Sequence, residues 1–423
     1  MKTRFFYGWV VVALSFLLGF LGTGFYSYAR GVFLPSLADA LADGKRMPIS
    51  IGFSIAAITV AIIAPRLGRY LDSGSPRKVI MFGILVTTFA YFGLGVVQNL
   101  WQFYVIVGLA MGIGVSCMGG LSWHRSVIFW FDHWRGRAIA IAVLGASAAG
   151  ILMPWLVNLL VEIYGWRTTY FLFGLTTFVS LMPLIYWLMR DRPEDIGEVR
   201  DGHNYVANHE TQMVEVASDG RVWTLQELLS SPAFWSIGLI FGAMTCVFAA
   251  AMLHLYAHGL DVGLSTGDAA LVVMAAAALA AAGKPVIGWM SDFWGARITI
   301  WLSLFCQGVA LLIFTQAADF ATVILGACIY GFGYSGMSPL RTFAISTSVS
   351  SASFAFANGV LRWVELPFIL GASPLVGYVH DVTGSYNLAF YILTGLMVVA
   401  AIGPFFIARG GAVERRSLKS AAS

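Results

Sequence analysis

Long apolar stretches separated by short polar turns run along nearly the whole chain. A helix that crosses a lipid bilayer needs about 20 consecutive, mostly apolar residues, and about twelve stretches reach that length. They are predicted at Trp9–Phe33, Ile49–Leu71, Val79–Val97, Phe103–Phe131, Ala138–Val161, Thr168–Met189, Ala233–Tyr256, Asp268–Met290, Ile298–Thr315, Ala321–Ser346, Phe354–Val379 and Leu388–Ala408. The pattern therefore predicts an all-α membrane protein with twelve transmembrane helices in two six-helix halves.

One polar segment separates these stretches into two groups of six. It extends from Arg190 to Ser231 and begins RDRPEDIGEVRDG, a composition typical of a partly disordered linker. Trp223–Leu229, near its end, has the pattern of a short amphipathic helix. The predicted organisation is an N-terminal six-helix half over residues 1–190, a cytoplasmic linker over 191–230, a C-terminal six-helix half over 231–409 and a cytoplasmic tail over 410–423.

The composition indicates that the bilayer is the solvent. Hydrophobic residues make up 59% of the 423 residues and charged residues only 11%, whereas soluble domains carry roughly a quarter charged residues. Lys and Arg favour the cytoplasmic side of a membrane protein, so we expect both termini to be cytoplasmic and the chain to cross the plasma (inner) membrane many times. The predicted cytoplasmic segments carry Lys2, Arg4, Arg69, Arg77, Lys78, Arg135, Arg137, Arg297, Arg409, Arg415, Arg416 and Lys419. We interpret the net charge of +4 as this bias and expect no nucleic-acid binding.

Patterns typical of an enzyme are not recognisable in the spans. The four cysteines lie in apolar stretches without metal or redox spacing. Neither a Walker pattern nor a Ser/His/Asp arrangement is present, so we expect no catalytic activity, no cofactor, no metal site and no ATP-driven transport. His254 and His258 are interpreted as hydrogen-bonded residues at a helix interface.

The two halves contain a related pair of loops. The second span ends in GRYLDSGSPRKV, residues Gly68–Val79, and the eighth ends in GWMSDFWGARIT, residues Gly288–Thr299. Each loop has a Gly, an Asp four residues later and an Arg five residues after the Asp. Repeated halves with corresponding motifs are typical of secondary transporters.

These loops resemble the signature loops of the major facilitator superfamily, and the resemblance covers nearly the whole chain. It implies the fold of that superfamily, two six-helix halves with alternating access. In the superfamily the Asp and the basic residues form a cytoplasmic latch. The resemblance therefore implies gating roles for Asp72 with Arg77 and for Asp292 with Arg297.

The first loop departs from the superfamily pattern. Ser73 stands where an Arg is usual, and Ser75 stands where a Gly is usual. These departures leave the conformation of the loop open. An alternative interpretation of both loops needs no gate, because basic residues mark the cytoplasmic side and charged residues interact with helix ends.

Five further segments resemble the monocarboxylate transporter family and its bacterial relatives. They are YGWVVVALSF (Tyr7–Phe16), YSYARGVFLPSL (Tyr26–Leu37), WFDHWRGRAIAIA (Trp130–Ala142), DRPEDIG (Asp191–Gly197) and PLVGYVHDVTGSY (Pro374–Tyr386). Each segment alone is a weak match, but together and in this order they are specific. The related oxalate/formate antiporters stay an alternative. The resemblance implies transport of a small organic anion.

A charge inside a span costs roughly 2.5–3.5 kcal/mol on insertion scales and indicates function by default. Lys284 lies in AAAALAAAGKPVIGWMSD within the eighth span, where small residues leave room for a cavity or a close helix contact. At this place, just before a Pro, monocarboxylate transporters typically have an Arg that binds the substrate carboxylate, and their Asp four residues earlier is Ala280 here. The resemblance implies that Lys284 holds a carboxylate as a point charge. The alternative is that its side chain extends to the cytoplasmic surface.

The eleventh span carries two charges, Arg362 and Glu365, in NGVLRWVELPFILGASPLVG. Their spacing places them on one helix face, close enough to pair. We interpret Arg362 as a second cation for the substrate carboxylate and Glu365 as the group that couples transport to protons. The alternative is a self-neutralising structural ion pair.

Four more residues are candidates for the substrate pathway. Tyr28 in the first span and Tyr330 and Tyr334 in the tenth could donate their hydroxyls to a carboxylate. The alternative for each is ordinary aromatic packing. Arg30, near the predicted outer end of the first span, either guides anions into an outer vestibule or extends to the surface.

Together these residues predict a secondary active transporter of small organic anions, and the leading hypothesis is proton-coupled monocarboxylate symport by alternating access. Exchange of organic anions, with both cations holding a dicarboxylate, is the alternative. A membrane receptor that does not transport is a third hypothesis. The expected partners are a small organic anion, protons and the lipid bilayer, and we expect a monomer.

Overall fold

The computed structural model describes residues 6–131, 134–201, 223–348 and 354–407. Within these ranges only the backbone is described at residues 72, 73, 135, 136, 292, 346, 347, 354 and 355. The chain forms two compact units, Met1–Val214 (unit 1) and Glu215–Ser423 (unit 2), and the division lies inside the predicted linker. The described residues of both units are helical and contain no β-strand.

The described part of unit 1 contains six helices of membrane length. They are α1 (Gly8–Leu41), α2 (Arg46–Ser73), α3 (Pro76–Gly95), α4 (Leu100–Trp130), α5 (137–164) and α6 (166–188). α5 and α6 belong to one helical range, Arg137–Leu188, whose backbone breaks at Gly165 with φ 77° and ψ 159°. Glycine adopts a positive φ at no steric cost, so Gly165 makes the turn between the fifth and sixth predicted spans.

The described part of unit 2 contains six more, of which the last reaches membrane length only with the turns that continue it to Phe406. They are α7 (Pro232–Asp261), α8 (Thr266–Trp294), α9 (Ala296–Thr315), α10 (Phe320–Ser335 with Met337–Ser348), α11 (Phe354–Thr383) and α12 (Asn387–Ala400). A short helix, Leu225–Ser230, precedes them where the amphipathic helix is predicted. Eleven helical ranges in the described residues are long and apolar enough to cross a membrane, and Arg137–Leu188 holds two of the predicted spans. The predicted all-α fold is confirmed.

The end of α1 differs from the prediction. The helix continues to Leu41, whereas the apolar pattern predicts an end at Phe33, because the continuation LADAL consists mainly of the good helix formers Leu and Ala. The helix ends before Asp43 and Gly44, which take φ values of 50° and 80°, and this left-handed conformation terminates helices. Arg30 therefore lies in the helix interior, about 16 Å before its end at 1.5 Å per residue.

Three helices of unit 1 depart from regular α-helix. Wider, π-helical turns occur in α1 over Gly19–Tyr28, in α4 over Tyr104–Met111 and in α6 over Thr177–Leu181. α4 also breaks at Gly119, where φ is −78° and ψ is −169°. Irregular backbone inside a membrane is tolerated where it is buried in protein or lines a cavity, and α1 and α4 border the cavity of unit 1 described below.

A buried histidine joins three helices of unit 2. His254 of α7 is 1% exposed. Its Nδ1 lies 3.0 Å from the Tyr386 hydroxyl beside the start of α12, and its Nε2 lies 3.0 Å from the Ser373 carbonyl oxygen in α11. A carbonyl oxygen only accepts, so in the neutral imidazole Nε2 carries the proton and Nδ1 accepts from Tyr386. The prediction that His254 is a hydrogen-bonded interface residue is confirmed.

Two glycines allow helices to approach each other closely. A Cβ placed on Gly145 of α5 would lie 2.0 Å from the carbonyl oxygen of Phe16 in α1, and one on Gly331 of α10 would lie 2.1 Å from the carbonyl oxygen of Ala276 in α8. Both obstacles are backbone atoms, so a larger residue requires the helices to move apart. Small residues allow membrane helices to approach each other this closely.

We expect Gly145→Ala to destabilise unit 1 by about 1–3 kcal/mol, the usual effect of overpacking. Gly395→Ala in α12 is the matched control, because a Cβ there meets nothing within 4 Å and alanine favours a helix. The measurement is thermal unfolding of the detergent-purified variants. Equal unfolding temperatures for the two variants would contradict the close contact between α1 and α5.

Candidate functional site

Glu365 of α11 is a fully buried acid, 0% exposed. Its Oε2 lies 3.2 Å from Nη1 of Arg341 in α10 and 3.8 Å from Nη1 of Arg362 in its own helix. The Arg341 side chain is 8% exposed, whereas the Arg362 side chain is 64% exposed. The closer, buried partner of Glu365 is therefore Arg341, and the predicted Arg362–Glu365 pair is a longer contact beside it.

Asn358 holds the other arm of the Arg341 guanidinium. Nη2 of Arg341 donates to Oδ1 of Asn358 over 3.0 Å. Asn358 precedes Glu365 by about two helical turns, so the two side chains lie on the same face of α11. Arg341 thus reaches from α10 to an amide oxygen and a carboxylate, which suits the rigid fork of a guanidinium. Because Arg341 neutralises Glu365 inside the protein, Arg362 keeps an accessible charge.

The position of charges within the predicted spans does not identify Arg341 as a candidate. The internal repeat of the sequence does identify it. α4 reads GGLSWHRSV over residues 119–127, and α10 reads SGMSPLRTF over residues 335–343. Aligning Gly120 with Gly336 places Arg125 opposite Arg341. Nε of Arg125 donates to the carbonyl oxygen of Leu71 over 3.3 Å. The fourth helix of each half therefore carries an arginine at the same place, and in unit 2 this arginine faces Glu365.

Lys284 lies in α8 and is half-buried. The residue before it, Gly283, packs against α10, since a Cβ there would lie 2.5 Å from Oγ of Ser335. Pro285 follows it inside the helix. Lys284 therefore lies where α8 and α10 touch, with part of its side chain accessible. Its role in binding a carboxylate stays a prediction.

The two tyrosines of α10 belong to an aromatic stack. The ring centroids of Tyr330 and Tyr334 lie 6.2 Å apart with an interplanar angle of 11°. Tyr334 also stacks on Phe248 of α7, with 4.4 Å between centroids and an angle of 5°. Tyr330 is 1% exposed, so its ring packs in the core, as the alternative interpretation expects. Substrate binding by either hydroxyl stays a prediction.

Unit 1 contains a cavity of about 240 Å³ between α1, α2 and α4. Its polar or aromatic lining consists of Thr23, Tyr26, Ser27, Ser116 and Trp123, and the other lining residues are aliphatic or glycine. Pockets for drug-sized ligands have volumes of roughly 300–1,000 Å³, so this cavity suits a smaller organic molecule. Tyr28, which is predicted to bind substrate, is half-buried and lies outside this lining.

Arg30 borders a second, smaller cavity of about 20 Å³, together with Tyr26, Phe53, Tyr91 and Tyr170. Its Cζ lies 5.9 Å from the centre of the Phe53 ring, and its Nε is buried. Aromatic rings and the helix interior therefore surround part of the guanidinium, which disfavours extension to the outer surface. The predicted role of Arg30 in an outer vestibule stays a prediction.

The two arginines of the repeated loops bind the last helix of their own unit. Arg77 donates to the carbonyl oxygen of Tyr186 near the end of α6. Nη2 of Arg297 donates to the carbonyl oxygens of Phe405 and Ile407, at 2.9 and 2.5 Å, just after α12. A cation at a helix C-terminus satisfies free carbonyls and interacts favourably with the helix dipole. The two loops therefore share not only a sequence motif but also the contact that their arginine makes.

The acidic residues of the predicted gate, Asp72 and Asp292, have side chains outside the described residues. Their backbones belong to the last turns of α2 and α8. Gating by Asp72 with Arg77 and by Asp292 with Arg297 therefore stays a prediction.

The beginning of the linker is attached to unit 1 by two carboxylates. Asp191 accepts a hydrogen bond from the backbone N–H of Arg77 at 2.9 Å and another from the hydroxyl of Ser75. Glu198 accepts from the backbone N–H of Tyr7 at 3.2 Å. Both acids lie at helix N-termini, where negative charge is favourable. Ser75 therefore has a role that the usual glycine could not fill, because its hydroxyl also caps α3.

The fold and the paired loops define a membrane transporter built from two related six-helix units. The family model of the Major Facilitator Superfamily matches residues 16–282 and 248–422. The chain belongs to the major facilitator superfamily, and the resemblance predicted from its loops is confirmed.

Individual relatives indicate which transporters of the superfamily the chain is similar to. The chain is 25% identical to an uncharacterized MFS-type transporter, YcxA of Bacillus subtilis (strain 168), over 94% of this chain and 95% of the relative. It is 23% identical to monocarboxylate transporter 13 of Rattus norvegicus, over 95% of this chain and 90% of the relative. It is 24% identical to monocarboxylate transporter 11 of Homo sapiens, over 93% and 81%. The chain is therefore related to monocarboxylate transporters.

The fold also resembles solved structures. A bacterial homologue of the human lysosomal transporter Spinster, in an inward-facing and occupied conformation, gives a TM-score of 0.72 at 14% identity, covering 95% of this chain and 96% of that chain. The unoccupied form of that homologue gives a TM-score of 0.66 at 16% identity. At such low identity the similarity concerns the fold alone.

We expect Asp191→Asn to lower the stability of unit 1 by about 1 kcal/mol, because a neutral amide loses the interaction with the helix dipole and one acceptor oxygen. Glu194→Gln is the matched control, since Glu194 is an exposed acid in the same segment. Thermal unfolding of the purified variants measures the difference. Equal losses in the two variants would show that the contact of Asp191 with α3 contributes nothing of its own.

Proposed function

We propose that this transporter carries a small monocarboxylate together with a proton across the plasma (inner) membrane by alternating access. The supporting observation is the charge balance inside unit 2. Away from the helix ends, the described helices of this unit carry three cations, Lys284, Arg341 and Arg362, and one carboxylate, Glu365. Excess positive charge in a low-dielectric region favours an anion. The relationship to monocarboxylate transporters supports the same substrate class.

Lys284 and Arg362 bind the carboxylate in this proposal. Arg362 has the accessible guanidinium, because its side chain is 64% exposed and its contact with Glu365 is 3.8 Å long. Lys284 is half-buried and supplies a second, compact charge. The hydroxyls of Tyr28, Tyr330 and Tyr334 supplement these cations as hydrogen-bond donors, as expected for a site with a few placed polar groups.

Glu365 is the proposed coupling group. A buried carboxyl beside cations is suited to exchange a proton during transport. When Glu365 takes up a proton, its attraction for Arg362 disappears, and Arg362 binds the anion instead. When the proton leaves, the carboxylate attracts Arg362 again and favours release of the anion. Proton and anion are thereby bound and released together.

The gates and the entry path complete the proposal. Asp72 with Arg77 and Asp292 with Arg297 close the cytoplasmic side, using arginines that already hold the last helix of each unit. Arg30, with its aromatic neighbours, attracts anions from the outer side. Each of these residues modulates access and leaves the binding residues unchanged.

Exchange of organic anions is the second candidate. It is favoured by one observation, the exposed charge of Arg362, which together with Lys284 offers two cations to a dicarboxylate. An exchanger would need an anion on both sides of the membrane and no proton gradient.

The test is uptake of labelled lactate, pyruvate and oxalate into proteoliposomes, with and without an inward proton gradient. Uptake of a monocarboxylate that rises with the gradient supports the symport. Uptake that ignores the gradient but needs an anion inside the vesicle supports exchange. If none of the three anions moves, the proposed substrate class is wrong.

We expect Lys284→Ala to reduce monocarboxylate uptake about 10- to 100-fold, because a hydrogen bond to a charged group contributes about 1.5–3 kcal/mol. Lys284→Arg should keep most of the uptake, since the charge stays. Lys45→Ala, in an exposed loop, is the matched control for loss of a lysine. Normal uptake by Lys284→Ala at normal expression would remove this residue from the site.

We expect Glu365→Gln to transport the anion without a response to the proton gradient, because the amide stays neutral and neither takes up nor releases a proton during transport. Uptake at zero gradient and uptake with the gradient are compared for the same preparation. Glu194→Gln, an exposed acid, should keep the full response. A gradient response that survives in Glu365→Gln would place proton coupling elsewhere.

A further inference from the structure

The contact between Arg341 and Glu365 gives Arg341 a role that the proposed function does not assign. We infer that Arg341 is a positioning residue that holds and compensates Glu365 while its carboxylate is ionised, and that it thereby sets the pH range of coupling. This inference rests on the proposed function of Glu365. It assigns the two arginines beside Glu365 to different tasks.

The distances of the two arginines from Glu365 and the exposure of their side chains support these different tasks. Nη1 of Arg341 lies 3.2 Å from Oε2 of Glu365, with the two side chains 8% and 0% exposed. Nη1 of Arg362 lies 3.8 Å from the same oxygen, with its side chain 64% exposed. Charges interact more strongly at shorter distance and in a medium of lower dielectric constant. Arg341 therefore stabilises the carboxylate more than Arg362 does, and Arg362 can leave more easily.

Arg341 is also held in place from a second direction. Its Nη2 donates to Oδ1 of Asn358 over 3.0 Å, so one helix, α11, provides partners for both of its arms. Removing one partner of a buried ion pair leaves an uncompensated charge, which is strongly unfavourable. Arg341 prevents this situation for Glu365 as long as its carboxylate is ionised, and protonation of Glu365 then frees Arg362 for the anion.

α7 packs closely beside Glu365 but brings no titratable group there. A Cβ on Gly238 would lie 2.7 Å from Cγ1 of Val364, the residue before Glu365. Residues 234–245 of α7 contain no titratable side chain. α7 therefore forms an apolar wall for the carboxylate.

The other helices that pack against α11 add one charged group. The Met337–Ser348 segment of α10 carries Arg341 as its charged residue. In α12 the titratable residue is Tyr391, which is 48% exposed. Among the described residues, Glu365 therefore faces Arg341 from a neighbouring helix and Arg362 from its own.

The test is a double-mutant cycle in the full-length transporter, with Arg341→Gln, Glu365→Gln and the double variant. The readout is the pH at which gradient-driven lactate uptake is half-maximal. Loss of a cation near a carboxylate disfavours its charged form, so Arg341→Gln should move this pH upward by about one unit or more. In the Glu365→Gln background, Arg341→Gln should add no further shift.

Conservative and neighbouring variants keep the test informative if Arg341→Gln folds poorly. Arg341→Lys should shift the pH less than Arg341→Gln, because it keeps the charge but loses the fork. Asn358→Ala should shift the pH slightly in the same direction. Unfolding temperatures are measured for every variant. An unchanged pH profile in Arg341→Gln, or an equal shift with and without Glu365, would overturn the inference.

A second readout separates this inference from the substrate. Infrared difference spectra over a pH titration detect the protonated carboxyl of a buried glutamate, and its absence in Glu365→Gln assigns the band. In Arg341→Gln the band should appear at a higher pH than in the unmodified protein. A shifted band without lactate uptake would support Arg341 and contradict the proposed substrate, whereas an unshifted band would contradict Arg341 whatever is transported.

Discussion

A charge inside a membrane must find its partner within the protein or in a ligand, because lipid cannot solvate it. In unit 2 this constraint determines how α10 and α11 meet. Glu365, at 0% exposure, is compensated by Arg341 over 3.2 Å, and Asn358 holds the remaining arm of that arginine. Away from the helix ends, the described helices of unit 2 carry two further cations, Arg362 and Lys284, and no second carboxylate. An anionic substrate is the partner that such a charge distribution favours.

The two units share the positions of several arginines and differ in the partners of the arginine in the fourth helix. Arg77 and Arg297 occupy the same loop position and bind the end of the last helix in their unit. Arg125 and Arg341 occupy the same position in the fourth helix of each unit. Arg125 donates to a backbone carbonyl, whereas Arg341 faces a buried acid. Glu365, the acid that Arg341 faces, is thus an addition to a shared helical framework, and unit 1 contributes a cavity lined by hydroxyls, aromatic rings and aliphatic side chains.

Hydropathy predicts the helices well because a bilayer imposes their length, and the break at Gly165 lies between two predicted spans. The end of α1 is predicted less well, since good helix formers continue the helix beyond the predicted end at Phe33. The contact of Arg362 with Glu365 follows from helix geometry alone. The contact with Arg341 depends on which faces of two helices meet, and the spacing of residues within one helix contains no such information. The aromatic stack of Tyr330 depends on packing in the same way.

The most direct test of proton-coupled carboxylate transport measures both fluxes at once. Lactate is added to proteoliposomes that contain a pH-sensitive dye, while labelled lactate uptake is followed at several imposed membrane potentials. A proton and a monocarboxylate that cross together carry no net charge, so the potential does no work on them. The expected result is internal acidification in a one-to-one ratio with lactate uptake, at a rate that does not change with the potential. Lactate uptake without acidification, or uptake whose rate follows the potential, would contradict this mechanism.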